Sequence, residues 1–365
     1  MTVADVEALR AWFTTTEHLT VGIEEEVLLV DPETWLPAPV AAEVVAAADD
    51  PRVKQELPAC QVELATGAHP DSAAALAELA SLRRQLVDAC RSECVPVAAA
   101  VHPLVLGPME VASTDRSRAL VADYGEVAAR QLVSALQVHV AVGEPDRALA
   151  VYNALRGYLP EVAALAAAAP FHEGRSSGLA SVRPLIAGQL PRQGVPPVLS
   201  GWEELAEELR WGAATGWVRD PGRWWWELRP NLRFGTLEVR VPDVQPTIDA
   251  AAAVVSLVHA LVGHLAERHE AGRELGATPT WRIAENRWAA LRHGVHGELA
   301  DLETGCPAPT RDRLAWLIDQ VEPHAPDGLD EARALLERTS ADALLDVGIR
   351  GSLPWMAEVF APGSE

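Results

Sequence analysis

The sequence predicts an α+β protein: an antiparallel sheet with helices packed on one face and polar side chains on the other. Two stretches lead there first, Thr20-Val-Gly-Ile-Glu-Glu-Glu-Val-Leu-Leu-Val30 and Thr236-Leu-Glu-Val-Arg-Val241. Both are rich in Val, Leu and Ile and bounded by strand-ending residues. Alternate strand residues face opposite ways, so Glu24 and Glu26 share a side away from Val21, Ile23, Val27 and Leu29. Glu238 and Arg240 likewise oppose Leu237, Val239 and Val241. The pattern then repeats in Gln61 and Glu63, in Gln137 and His139, and in Glu227 and Arg229. Any one of these strands reads equally well as amphipathic with a wet face. Five together describe a concave surface of carboxylates, imidazole and guanidinium.

The elements follow in order. Residues 3–13 read as a short helix ahead of the strand at 20–30, and 59–65 as a second strand. Residues 71–94 show helical spacing at Leu76, Leu79, Leu82, Leu86 and Val87, with Asp71 or Ser72 as N-cap. A strand at 95–101 leads to His102-Pro103, where His102 reads as a turn-orienting residue, and helices fill 115–135. After the strand at 136–143, helices at 148–159 and 161–169 are separated by Pro160. Gly and Pro make 170–200 a long loop, the kind of segment that often carries function. A helix at 201–216, strands within 217–243 and an apolar helix at 247–271 follow. From about 280 the chain is helical, broken at Gly294, Pro307, Pro309 and Pro323, and residues 1–365 read as one domain.

Composition narrows the function. A net charge of −22 argues against a nucleic-acid backbone or an anionic membrane as partner. Lys54 is the only lysine, so phosphate contacts fall to Arg, backbone N–H or metal. Cys90 and Cys94 lie one helical turn apart without a completing zinc set and read as buried thiols. No basic-then-apolar leader is visible and no apolar run is read as a membrane span, so a cytoplasmic location is expected. Six of the twelve tryptophans fall between Trp202 and Trp226, and packing is preferred for them over adenine stacking. The chain lacks GxxxxGK[ST], GxGxxG and GxSxG, which argues against P-loop, Rossmann and α/β-hydrolase chemistry. Carboxylates two apart on a strand stand roughly 6.5–7 Å from each other and repel unless a cation sits between them. Hard divalent ions take such oxygen ligands.

The ordered set Gly22-Ile-Glu-Glu-Glu26, Val62-Glu63, His139-Val140, Ala180-Ser-Val-Arg183-Pro184, Glu227-Leu-Arg229-Pro230 and Phe234-Gly-Thr-Leu-Glu238-Val-Arg240 resembles the glutamate–cysteine ligase type 2 family, in its carboxylate–amine ligase branch. The resemblance runs from about residue 18 to 350 and includes Glu285-Asn286-Arg-Trp288 and Arg292-His-Gly294. It implies a sheet bent into a funnel with flanking helices, as in glutamine synthetase and the guanido kinases. It also implies ATP and Mg²⁺ (or Mn²⁺) as cofactors, and small-molecule carboxylate and amine substrates; a homo-oligomer is compatible with it. Position by position, Glu24, Glu26, Glu63, His139 and Glu238 become metal-ligand candidates. Arg183, Arg229 and Arg240 become catalytic candidates, with Arg183, Arg240 and Asn286 toward the nucleotide. The implied chemistry activates a glutamate-like carboxylate as an acyl phosphate and joins it to an amine, cysteine by default.

Two departures stand out. Ala141 replaces the family's second strand histidine and is expected beside a wet funnel wall, and the loop reads Gly174-Arg-Ser-Ser-Gly-Leu179. Both lie where substrate selection is expected. Competing readings are a phosphotransferase of guanido-kinase type and a nucleotide-binding protein without turnover.

Overall fold

The computed structural model describes residues 5–361 apart from Thr15, Arg219 and Pro326. The ends of the first and last predicted helices, residues 3–4 and 362–365, lie outside the described residues. In chain order the strands are β1 (Val21–Val30), β2 (Val53–Gln55), β3 (Gln61–Ala65), β4 (Val95–Val97), β5 (Leu136–Ala141), β6 (Phe171–His172), β7 (Arg175–Ser176), β8 (Leu228–Asn231), β9 (Thr236–Val239), β10 (Glu298–Ala300) and β11 (Pro307–Pro309). Seven of them form one sheet in the order β2-β3-β1-β5-β9-β8, with β4 also paired to β1. All its pairings are antiparallel. The strands β6–β7 and β10–β11 are separate hairpins.

The alternation read from the sequence sorts the faces. Val21, Ile23, Val27 and Leu29 of β1 are buried with Val62, Leu64, Val138, Val140, Leu237 and Val239 in the main core. The helix Ile248–Glu270 fills that core, and the helix Ser72–Cys90 packs beside it. Asp71 caps the latter through the Ala74 N–H at 2.8 Å, satisfying one of the first-turn donors. On the opposite face, Leu28 and Val30 enter a smaller cluster with Phe171 and with Leu344, Leu353 and Met356 of the helix Ser340–Phe360. The polar part of that face is therefore confined to the stretch around Gly22–Glu26 and its neighbours.

Several expectations are corrected. The strand at 95–101 is only Val95–Val97, and 115–135 holds the helices Asp115–Tyr124 and Glu126–Ala129. Between the helices Pro145–Leu155 and Leu159–Leu165 the break is a 3-10 turn at Arg156–Tyr158. Pro160 sits in the first turn of the second helix, where a missing N–H costs nothing. The loop at 170–200 contains the β6–β7 hairpin and a short helix, Arg183–Ala187. Among the described residues of 217–243 the strands are β8 and β9, and Pro221–Arg223 is a 3-10 turn. Finally, Ile248–Glu270 is long and apolar enough to cross a membrane by length and composition, contrary to the sequence reading. It is largely buried, because its apolar surface meets the sheet and surrounding helices.

The β8–β9 turn depends on Gly235, which has φ 64 and whose added Cβ would overlap the Trp12 carbonyl oxygen. Gly174 also has positive φ but meets nothing within 4 Å. Gly235→Ala is therefore expected to lose the left-handed backbone preference plus an overpacking cost, about 2 kcal/mol or more together. Gly174→Ala is expected to lose only the backbone part. Chemical denaturation of both variants checks this; equal losses would mean the Trp12 contact yields freely.

Candidate active site

Antiparallel register brings the polar residues into rows. Lys54, Glu63 and Glu26 lie side by side across β2, β3 and β1. The next row holds Ala65, Glu24 and Gln137. A third joins Gly22, His139, Glu238 and Arg229 across β1, β5, β9 and β8. Residues distant in sequence thus meet because each alternates in phase with its neighbour strand.

Glu24, His139 and Glu238 converge, with ligand atoms all within 4.8 Å of one another. His139 Nδ1 meets Thr236 Oγ1 at 3.0 Å, and Phe234 packs edge-on to the ring at 5.6 Å between centroids. Its Nε2 lies 3.5 Å from Glu24 Oε2, within ion-pair range but too far for a hydrogen bond. That buried Nε2 has no hydrogen-bond partner among the described residues. In the neutral tautomer with its proton on Nδ1, donating to Thr236, Nε2 presents a lone pair toward two carboxylates. Donors of a divalent cation at about 2.1 Å stand about 3 Å or more apart, so this set fits a metal ion.

Electrostatics distinguish two acid groups. Burial alone would raise Glu238, but Arg240, Arg229 and His139 hold it well below the usual carboxylate range. Arg229 binds both its oxygens, at 2.8 and 2.9 Å, and Asn231 donates to it at 2.6 Å. Arg240 reaches Glu238 and Gln137 as well. Burial opposes ionisation of Glu24 too, yet His139 holds it low. Burial opposes the charged form of His139, but Glu24 and Glu238 raise it overall. Glu26 is different: burial first and Glu56 next push it up to about 8. Its carboxylate accepts from the Ala135 N–H at 2.7 Å and from Gln137 at 3.0 Å. Glu63, directly opposite, is pushed up to about 7 by burial, then by Glu24 and Glu56, despite Lys54 Nζ at 2.9 Å. In this second group Lys54 and Arg240 favour the charged forms, yet burial and the neighbouring carboxylates hold both carboxyls toward their protonated forms.

Five metal-ligand candidates and two of the arginines thus share one face. The other two predicted contacts are engaged elsewhere. Arg183 Nε binds Asp243 at 2.6 Å and its Nη2 the Val241 carbonyl at 2.7 Å, bracing the strand end just after Arg240. Asn286 uses both ends of its amide on Ala300, at 2.7 and 2.9 Å, fastening β10 to the helix Thr280–His293. Ala141 shares the His139 face opposite Thr236 but is fully buried, so the expected wet wall is absent there. His102 accepts the Leu104 N–H through Nδ1 at 3.3 Å and meets the Trp35 carbonyl through Nε2 at 2.9 Å, orienting the turn as expected. Trp224 is buried against Trp226, whereas Trp211 and Trp217 are exposed. Sequence reasoning missed Glu56, Thr236 and Asn231. Glu56 directly follows β2, and the other two share the phase of Glu238, which was the available signal.

The profile of glutamate-cysteine ligase family 2 matches residues 20–352. A relative from Jannaschia sp., assigned by name to glutamate–cysteine ligase 2, is 32% identical over 336 residues, covering 89% of each chain. One from Mycolicibacterium vanbaalenii, with the name glutamate–cysteine ligase 2-2, is 35% identical over 311 residues, covering 84% of this chain and 85% of its own. Among solved structures, glutamate–cysteine ligase from Francisella tularensis in complex with AMP superposes with TM-score 0.68 at 14% identity. That match covers 94% of this chain and 89% of the other. A bifunctional glutathione synthetase from Pasteurella multocida gives TM-score 0.66 at 15% identity, over 97% of this chain and 54% of its own. At these identities the structural matches establish a shared mixed fold of helices and antiparallel sheet.

The acid group yields a pH test. Glu26 binds its proton more tightly folded, at about 8, than at its ordinary value of 4.5. The stability this proton contributes is complete below pH 4.5 and is lost as pH rises through 8. Glu63 acts with the same sign up to about 7, whereas His102, held at about 4 against an ordinary 6.5, acts with the opposite sign and is nearly complete at the lower edge of that window. Metal-free protein is expected to lose on the order of 2 kcal/mol between pH 6.5 and 8.5, and saturating Mg²⁺ to abolish the loss. Melting curves across that range, with chelator and with Mg²⁺, measure it. A flat metal-free profile would contradict the unbalanced acid group.

Proposed function

Because the chain belongs to glutamate–cysteine ligase family 2, we propose that it is an ATP- and Mg²⁺-dependent ligase joining a glutamate-like carboxylate to an amine. The observation that carries this reading is the convergence of Glu24, His139 and Glu238 beside the facing pair Glu26 and Glu63, whose carboxyls burial and neighbouring carboxylates push up. Glu24, His139 and Glu238 would hold one Mg²⁺, and Glu26 and Glu63, with Glu56 nearby, a second. When bound, Mg²⁺ neutralises phosphate oxygens and withdraws charge from the transferred phosphoryl group. The acid-bearing face repels ATP alone and attracts it once the metal charge is present.

The reaction then needs alignment and charge neutralisation. A carboxylate oxygen of the first substrate attacks the γ-phosphorus of ATP and ADP leaves. The neutral amine attacks the acyl carbon, phosphate departs, and the amine proton passes to solvent or phosphate. Of the arginines, Arg240 is best placed to meet the phosphoryl group, since it faces Glu24, Glu26 and Glu238 together. Arg229 holds Glu238 in place by its paired contact, and Arg183 braces the segment Arg240–Val241 that follows β9. The fold shared with the Francisella enzyme, whose structure contains AMP, supports a nucleotide here. Glutamate and cysteine are the default substrates by family, acting in the cytoplasm within a single domain of residues 1–365. A funnel like that of glutamine synthetase and the guanido kinases belongs to the same proposal.

Phosphate release from ATP is the test, screened over amino acids and amines with products identified by mass. The proposal expects release that requires a carboxylate and an amine together and yields an amide. A stable phosphorylated product would identify a phosphotransferase. ATP-dependent thermal stabilisation without release would identify a binding protein. Arg240→Lys is expected to reduce turnover at least about tenfold, because a point charge cannot reproduce a planar two-point contact.

A further inference from the structure

The back face of β1 contains one residue that breaks its apolar pattern. Glu25 lies between Glu24 and Glu26 but points the other way, into the core, and is fully buried. Arg83 of the helix Ser72–Cys90, equally buried, binds its two oxygens at 2.9 and 2.6 Å. The remaining guanidinium N–H groups go to three carbonyls, those of Gln245 at 2.8 Å, Pro246 at 3.2 Å and Phe360 at 3.1 Å. The Phe360 ring lies beneath the guanidinium, 4.7 Å from its centre. All five donors of the arginine are thereby used.

Such a pair is a costly way to fill a core. Taking two charges out of water consumes most of what their attraction returns, and apolar residues of similar volume often do as well for stability. What a saturated bidentate pair adds is geometry: it fixes one backbone position relative to several others. Here that position is the peptide joining Glu24 to Glu26. On either side of it, Glu25 is opposite Leu64 of β3 and Leu136 of β5, so both neighbouring strands are referenced to the same point.

We propose that Glu25 and Arg83 are positioning residues for the metal-binding face, holding Glu24 and Glu26 at the spacing that a divalent cation requires. The carboxylates on the front repel one another and would relax apart if the strand could shift. The pair behind resists that shift by tying β1 to the helix Ser72–Cys90, to the segment Gln245–Pro246 and to the end of the helix Ser340–Phe360. A shift of well under 1 Å separates a good carboxylate ligand from a poor one, which is why a rigid reference matters more here than under a strand that only packs.

This inference rests on the metal reading of Glu24, His139 and Glu238, and the experiment separates the two. Mn²⁺ binding to the nucleotide-free protein is measured by electron paramagnetic resonance, with melting temperatures, for wild type, Glu24→Gln, Glu25→Gln and the double variant Glu25→Leu/Arg83→Met. The double variant removes both charges and provides a folded comparison if the single change unfolds the chain. The expected result is tight binding by wild type, loss in Glu24→Gln, and at least about tenfold weaker binding in Glu25→Gln or the double variant at temperatures where each is folded. Lowered melting temperature with Mn²⁺ affinity within twofold of wild type would overturn the positioning role and leave the metal site standing. Absence of binding by wild type, or wild-type binding in Glu24→Gln, would overturn the metal reading and the inference with it.

Discussion

The accumulation of carboxylates on one face of a sheet is the constraint around which this protein is organised. Glu24, Glu26, Glu63 and Glu238 all emerge on the same side, within a few strand widths of one another. Like charges at that spacing in a partly dehydrated surface cannot all ionise unless positive charge is supplied. The fold answers in two different ways. Around Glu238 the positive charge is built in, from Arg229, Arg240 and His139. Around Glu26 and Glu63 it comes from Lys54 at the edge and from a shared Arg240, and burial still holds both carboxyls toward their protonated forms.

That asymmetry has a functional sense. An acid pair already neutralised by arginine has little to gain from a cation, whereas an unbalanced pair gains a great deal. Glu238 spans the two regimes, taking its charge from arginine while sharing a ligand cluster with Glu24 and His139. Arg240 sits between the groups, so under the proposed metal binding its charge would be freed for an incoming anion. The scarcity of lysine fits this use of fixed, planar guanidinium groups.

The strands and their polar face were legible because strand periodicity is a local signal: Glu24, Glu26, His139 and Glu238 could be assigned to one side from their neighbours alone. Pairing order was not local, and the opposition of Glu26 to Glu63 emerged only with the register. Arg183 and Asn286 show the limit most plainly. Family motifs place them near the site, but an ion pair with Asp243 and a double contact with Ala300 are decided by partners 60 and 14 residues away. Ala141 failed for a related reason, since its strand face was read correctly while its burial depended on the covering chain. Glu25 was visible as an interruption in Val21, Ile23, Val27 and Leu29, yet its meaning required Arg83, 58 residues on.

The claim at the centre of this account is that the acid face is a divalent-cation site. Anomalous diffraction from crystals soaked in Mn²⁺ with a non-hydrolysable ATP analogue addresses it directly. The account predicts a strong peak coordinated by Glu24, His139 and Glu238, and a second beside Glu26 and Glu63, with the analogue's phosphates between them. An ordered analogue with no anomalous peak on that face would contradict it.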